Sequence, residues 1–157
     1  RRFILCCLIL CSKAFLSLRC GIKHRNSISQ AYSAKESNNV INPEIQFILN
    51  RIKGEQDIAF SDVIESIDSS YHFIPKRFKN GNIVNLEDQN QSSCKVFSFG
   101  LIHSLSSKEL LRCFGEHYTA VLDDPKGNSH QNIRNFIDYG WNGVQFEDGI
   151  ALTIKSN

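Results

Sequence analysis

The stretch SHQNIRNFIDYGWNGVQF, residues 129–146, holds a His, an Arg, three Asn and the only Trp of the chain. Ile133, Phe136 and Ile137 recur at helical spacing, which predicts a helix to about Tyr139 with these three as its buried stripe. Asn128 or Ser129 is its expected cap, and Gly140 its stop. The following NGVQFEDGIALTIK then reads as two short strands, residues 144–146 and 150–154, joined by a turn at Asp148 and Gly149. A helix that delivers the chain into a hairpin is the signature of mixed architecture.

Working back from this corner, DDPKGNSHQN is a turn, and residues 107–118 form an amphipathic helix. Leu110, Leu111, Cys113, Phe114, His117 and Tyr118 share one face, opposite Lys108, Glu109, Arg112 and Glu116. On that face His117 reads as a packed core histidine. Residues 94–105 are ambiguous, because Phe97, Phe99 and Leu101 alternate like a strand in a run long enough for a buried helix. A helix capped by Ser92 or Ser93 is the reading adopted. Before it lie a polar loop, residues 85–94, and the segment YHFIPKRFKNG, residues 71–81, read as an edge strand because Pro75 cannot donate to a ladder. Its close on Asn80 and Gly81 is a hairpin-type turn.

Two helices open the domain. In NPEIQFILNRIKG, Asn42 caps, Pro43 takes the first helical position, Gly54 stops, and Ile45, Ile48, Leu49 and Ile52 form the stripe. Residues 61–69 form the second, capped by Ser61, with Val63, Ile64 and Ile67 inward. The expected fold class is α+β, a single domain with a small antiparallel sheet and helices packed on one face.

Charge divides the chain. Residues 1–39 carry seven Lys/Arg against Glu36 alone, a net of +6, so residues 40–157 carry the remaining eleven bases and fifteen acids, a net of −4. Four of six cysteines (Cys6, Cys7, Cys11, Cys20) also lie in the first segment. RRFILCCLILCSKAF has the basic start, short apolar run and small residues of a signal peptide, and the run is too short for a membrane span. The stretch after Ala14 is rich in Ser and basic residues, with no acid before Glu36, as in a transit peptide. Residues 1–39 are thus read as a signal peptide plus transit peptide for import into a plastid of secondary origin, the alternative being the secretory pathway. Residues 40–157 are the functional domain. Its acidic balance and lack of a basic stripe argue against nucleic acid. Cys94 and Cys113 have no ligand spacing, so neither a metal site, a cofactor nor a disulfide framework is indicated.

Four blocks carry a family resemblance: YHFIPKRFKNG, NQSSCKVFSFGLIHSLS, LLRCFGEHY and VLDDPKGNSHQNIRNFIDYGWNGVQF. Together they resemble the HopJ type III effector family over about residues 44–154, in the family's order. Ser92 stands where the family tends to carry Gly, and Thr119 where it tends to carry Arg, which puts any role of that Arg in doubt here. The resemblance implies an effector-like domain with no established reaction. With a presequence, the chain reads as a resident protein of the algal kind.

Two classes of function remain. One is a non-catalytic module that binds a protein partner. The other is a small enzyme or a binder of an anionic ligand, built on His130, Asn132 and Arg134, with Cys94 and Lys95 as further candidates. His130 and Arg134 are four apart on one helix edge. Arg grips carboxylate or phosphate in a two-pronged fashion, imidazole is the side chain suited to proton exchange near neutral pH, and a helix N-terminus favours an anion. A Cys94 nucleophile would need a lowered thiol pKa and a His in reach. The competing structural reading spends the Asn residues on backbone groups, pairs Arg134 with Asp62 or Asp138, and buries Trp141.

Overall fold

The computed structural model describes residues 42–155; the presequence expected over 1–39 lies outside the described residues. The described chain is an α+β domain. In order it runs α1 (Pro43–Lys53), α2 (Phe60–Ser70), β1 (Tyr71–Phe73), β2 (Phe78–Asn80), β3 (Ile83–Asn85), α3 (Gln91–Ile102), α4 (Ser107–Arg112), α5 (Glu116–Asp123) and α6 (Gln131–Tyr139). A 3-10 turn (Gly140–Gly143) then leads to β4 (Val144–Phe146) and β5 (Leu152–Ile154).

α1 forms as its sequence dictates. Asn42 accepts the Glu44 N–H, Pro43 sits at the first position, Gly54 closes the end, and Ile45, Ile48, Leu49 and Ile52 are buried. α2 begins one residue before the expected Ser61 cap, and Ala59 at its N-cap offers no side-chain bond. The missing acceptor comes from elsewhere: Glu116 Oε2 takes the Phe60 N–H at 2.9 Å.

Residues 94–102 are helix and 103–105 lie past its end, and the ambiguity has a physical cause. α3 runs through the centre of the domain with Cys94, Val96, Phe97, Ser98, Phe99, Gly100 and Ile102 all buried. A helix covered on every side shows no helical stripe in its sequence. It starts earlier than expected, at an Asn90 cap in left-handed backbone, so Ser92 and Ser93 lie inside its first turn. Gly100 sets the distance to its neighbours, since a Cβ there would come 2.4 Å from Leu110 Cδ1 and 2.8 Å from Trp141 Cη2. Gly100→Ala should therefore cost about 1–3 kcal/mol by overpacking, although Ala is the better helix former by about 1 kcal/mol. A urea unfolding midpoint equal to or above wild type would refute this packing.

The expected helix over 107–118 is two helices. Ser106 and Glu109 form a reciprocal capping box at the start of α4. Gly115 then breaks the run at φ 50°, where a Cβ would meet Phe60 N at 2.5 Å and Ile58 O at 2.8 Å. Backbone must approach backbone here, and only glycine allows it.

The sheet differs most from expectation. YHFIPKRFKNG is not one edge strand: Pro75 lies between β1 and β2, and β2 is the central strand of a three-stranded sheet ordered β3-β2-β4. The turn sits one residue later than expected, at Gly81 and Asn82, since Asn80 pairs with Ile83. The C-terminal strands do not form a hairpin either. β4 pairs with β2, Phe146 opposite Phe78, while β5 pairs with β1, Leu152 opposite Phe73. The chain thus builds two small antiparallel sheets, with α3 beneath β5, where Ser98 Oγ accepts the Ala151 N–H at 3.1 Å. Phe97 is the hub of the core, in ring contact with Phe78, Phe114, Phe136 and Trp141. No helix among the described residues is long and apolar enough to cross a membrane.

Candidate functional site

α6 presents the five-residue run His130 to Arg134 in three directions. Its N-cap is His130, not Asn128 or Ser129, in left-handed backbone at φ 53° with no side-chain capping bond. Its buried residues are Asn132, Ile133 and Phe136, whereas Ile137 is exposed. The inward face is thus shifted from the predicted one and includes a polar side chain.

Asn132 is part of a buried asparagine network. Asn132 Nδ2 donates to Asn85 Oδ1 at 2.8 Å, and its own Oδ1 accepts from Asn85 Nδ2 and from Asn80 Nδ2, each at 3.2 Å. Asn80 Nδ2 also donates to the Asn132 carbonyl at 2.7 Å. Asn90 donates to Asn85 Oδ1 and Asn135 donates to the Asn80 carbonyl. β2, β3, the start of α3 and α6 are thereby held together by amides at the heart of the domain.

Arg134 faces the opposite way. Its Nε donates to the Ser129 carbonyl at 2.8 Å, Nη2 to Asp124 at 2.8 Å and Nη1 to Pro125 at 3.3 Å. These carbonyls follow the C-terminus of α5, whose negative dipole end favours a cation. Neither Asp62 nor Asp138 is its partner; Asp62 pairs with Arg51 at 3.2 Å. Arg134→Ala should lower stability by about 1–2 kcal/mol, the worth of charge-assisted bonds at a partly exposed site. An unchanged urea midpoint would contradict that role.

His130 is exposed and stands beside His117 of α5, ring centroids 4.9 Å apart. His117 is half-buried and meets Phe60 edge-on at 4.7 Å. The packed, hydrogen-bonded core histidine is instead His103: its Nε2 lies 2.8 Å from the Tyr71 hydroxyl and its ring is 4.5 Å from Phe99. Burial, with Lys53 adding repulsion, pushes its pKa down to about 4.

Cys94 is buried and its thiol donates to the Lys76 carbonyl at 3.6 Å. Burial pushes this thiol up from its ordinary value, and pushes Cys113 up to about 12. Both are set against thiolate chemistry. Lys95 grips Asp68 with both carboxylate oxygens, at 2.6 and 2.9 Å, and lies over the Phe73 ring. The five candidate residues therefore have separate surroundings: Asn132 in the amide network, Arg134 on carbonyls, Cys94 in the core, Lys95 on Asp68, and His130 beside His117.

Two shallow grooves flank α2. One groove, between α1 and α2, is lined by Glu44, Phe47, Arg51, Asp62 and Glu65. A second, on the other flank of α2, is lined by Phe60, Ile64, Glu65, Asp68 and Glu116. Phe47 is 61% exposed, and Glu65 faces both grooves. Nothing local marks this surface, because Phe47 lies outside the α1 stripe as a single aromatic in an otherwise apolar run, Phe47-Ile48-Leu49.

A small α+β domain with an asparagine-clamped core and an acidic helix face defines the class of protein. The chain belongs to the HopJ type III effector protein family, whose sequence profile matches residues 45–152. It is similar to the crystal structure of a protein of unknown function, VPA0580, at 41% identity and TM-score 0.70, over 75% of this chain and 99% of that one. A search of curated proteins finds no match.

Proposed function

We propose that this HopJ-type domain is a non-catalytic binding module, resident in a plastid, that docks a basic segment of a partner protein along α2. The observation that carries the reading is the contrast between interior and surface. Of the five candidate side chains Asn132, Arg134, Cys94 and Lys95 are spent on the fold, while α2 offers two grooves edged by Glu44, Asp62, Glu65, Asp68 and Glu116 around Phe47, Phe60 and Ile64. Arg51 lines the first groove and pairs with Asp62, and Lys95 holds Asp68, so Glu65, which faces both grooves and has no ion pair among the described residues, carries the charge argument. Complementary charge steers partners and apolar anchors hold them. The plastid assignment rests on the Ser-rich, acid-poor character of residues 1–39, with the secretory pathway as its alternative.

A photo-crosslinking amino acid at Ser61, in the second groove, tests the docking. A specific adduct from organelle extract should appear at Ser61, disappear in Glu65→Lys, and be absent when the probe is moved to exposed Lys126 on the far turn. The same adducts from both positions, indifferent to Glu65→Lys, would dismiss the docking face.

The second reading, an enzyme or anion-binding protein using His130, Asn132 and Arg134, is favoured by the exposure of His130 at the start of α6. Thermal shift with phosphate, nucleotides and sugar phosphates separates the two. The module reading expects no stabilisation of wild type; a rise in the melting midpoint that vanishes in Arg134→Ala would establish the anion site instead.

A further inference from the structure

Two imidazoles, from α5 and from the cap of α6, meet next to Phe60 of the second groove, and among the described residues no hydrogen bond uses their nitrogens. His117 and His130 have ring centroids 4.9 Å apart and planes inclined by 32°. Their side chains meet other rings, and no hydrogen bond among the described residues is made through their imidazole nitrogens, in contrast to His103, whose Nε2 is held by Tyr71. Imidazole nitrogens left without a hydrogen bond keep their lone pair for a ligand.

The separation fits a shared ion. With about 2.1 Å from each nitrogen to a tetrahedral metal, two imidazole centroids fall about 5 Å apart. His117 is pre-positioned, because its ring is braced edge-on by Phe60. His130 is set in place by its backbone: it holds φ 53°, an uncommon conformation for a non-glycine residue, at an N-cap position where it makes no capping bond. Asn128 and Ser129, better cappers by type, sit just upstream and are not used at that position. Glu116, next to His117, is not a third ligand: its Oε2 is held by the Phe60 N–H, and among the described residues no three His, Cys, Asp or Glu gather around one point.

We propose that His117 and His130 form a two-histidine site for a borderline divalent transition metal such as zinc. Two imidazoles suit zinc, copper or nickel over magnesium or calcium, which take oxygen ligands. With two protein ligands the remaining positions belong to water, or to a side chain of whatever occupies the adjacent groove. The site does not depend on that docking, and it shares only His130 with the anion-site reading, since Arg134 plays no part in it.

The test must resolve individual rings, because Cys6, Cys7, Cys11 and Cys20 are thiols that compete for zinc in a bulk titration. Zinc is titrated into the full-length protein while the imidazole nitrogens are followed by long-range proton–nitrogen NMR. His117 and His130 should shift together with one midpoint, while exposed His72 does not move and magnesium has no effect. In His130→Ala, an exposed and structurally mild change, the His117 midpoint should rise about tenfold or more, as expected when chelation is lost. Unshifted rings in wild type, or a His117 midpoint unchanged in His130→Ala, would overturn the proposal.

Discussion

Asn132→Ala should cost about 2–4 kcal/mol, seen as a fall in the urea midpoint with little change in slope. The residue is buried among Asn80 and Asn85, both without solvent exposure. Truncation removes one donor and one acceptor that together serve both neighbours. Asn85 Nδ2 loses its partner, and Asn80 Nδ2 keeps only the Asn132 carbonyl. A buried polar group left unmatched costs about 1–3 kcal/mol, and the Ala side chain leaves a small void besides. Asn80 Oδ1 already has no partner within the protein, so the network has no slack with which to absorb the loss. Asn135→Ala, at the half-buried edge with one bond to the Asn80 carbonyl, should cost about 1 kcal/mol by comparison. Equal effects of the two substitutions would show that the network is not the clamp described.

The second large effect is on acid stability. His103 has its pKa depressed to about 4 in the folded domain by burial, against an ordinary 6.5 when unfolded. Because the folded value is the lower one, the unfolded chain takes up a proton first as pH falls. The contribution is fully present above about pH 6.5 and is lost progressively between there and pH 4. The difference corresponds to about 3 kcal/mol at most. Unfolding free energy measured from pH 7.5 to 4.5 should drop by that order. His103→Gln keeps a hydrogen-bonding group near Tyr71 but cannot titrate, so its profile should be flatter over this window. Parallel wild-type and His103→Gln profiles would remove His103 as the source.

How far the sequence disclosed this fold depends on whether local and tertiary signals coincide. α1 was legible to the residue because its cap, its proline, its stop and its stripe all agree. Where tertiary contacts decide, local patterns mislead. The apolar face of residues 107–118 continues across Gly115, and only the distant backbone of Ile58 to Phe60 explains why the helix must break there. Asp148 and Gly149 make a plausible hairpin turn, yet β4 and β5 find partners in β2 and β1 of different sheets.

The candidate site was legible in its residue types but not in its directions. Asn132 has the chemistry of a ligand-binding amide, and nothing local shows that it is matched by Asn80 and Asn85 some fifty positions earlier. His117 fell on an apolar face, so it was read as core; its neighbour His130 lies beyond an intervening turn, a pairing that spacing alone does not predict. The family resemblance, by contrast, needed no geometry, since its blocks span the domain.

The strand order has a bearing on how the molecule comes into being. Among the described residues β1 pairs with β5 alone, and β2 is flanked on one side by β4, so both sheets are completed by residues 144–154. The asparagine clamp likewise draws its second half from α6. A chain delivered amino end first, from a ribosome or through a membrane pore, therefore holds its early strands unsealed until the carboxyl end arrives. Loss of the piece that carries Leu152–Ile154 would leave β1 without the strand it pairs with.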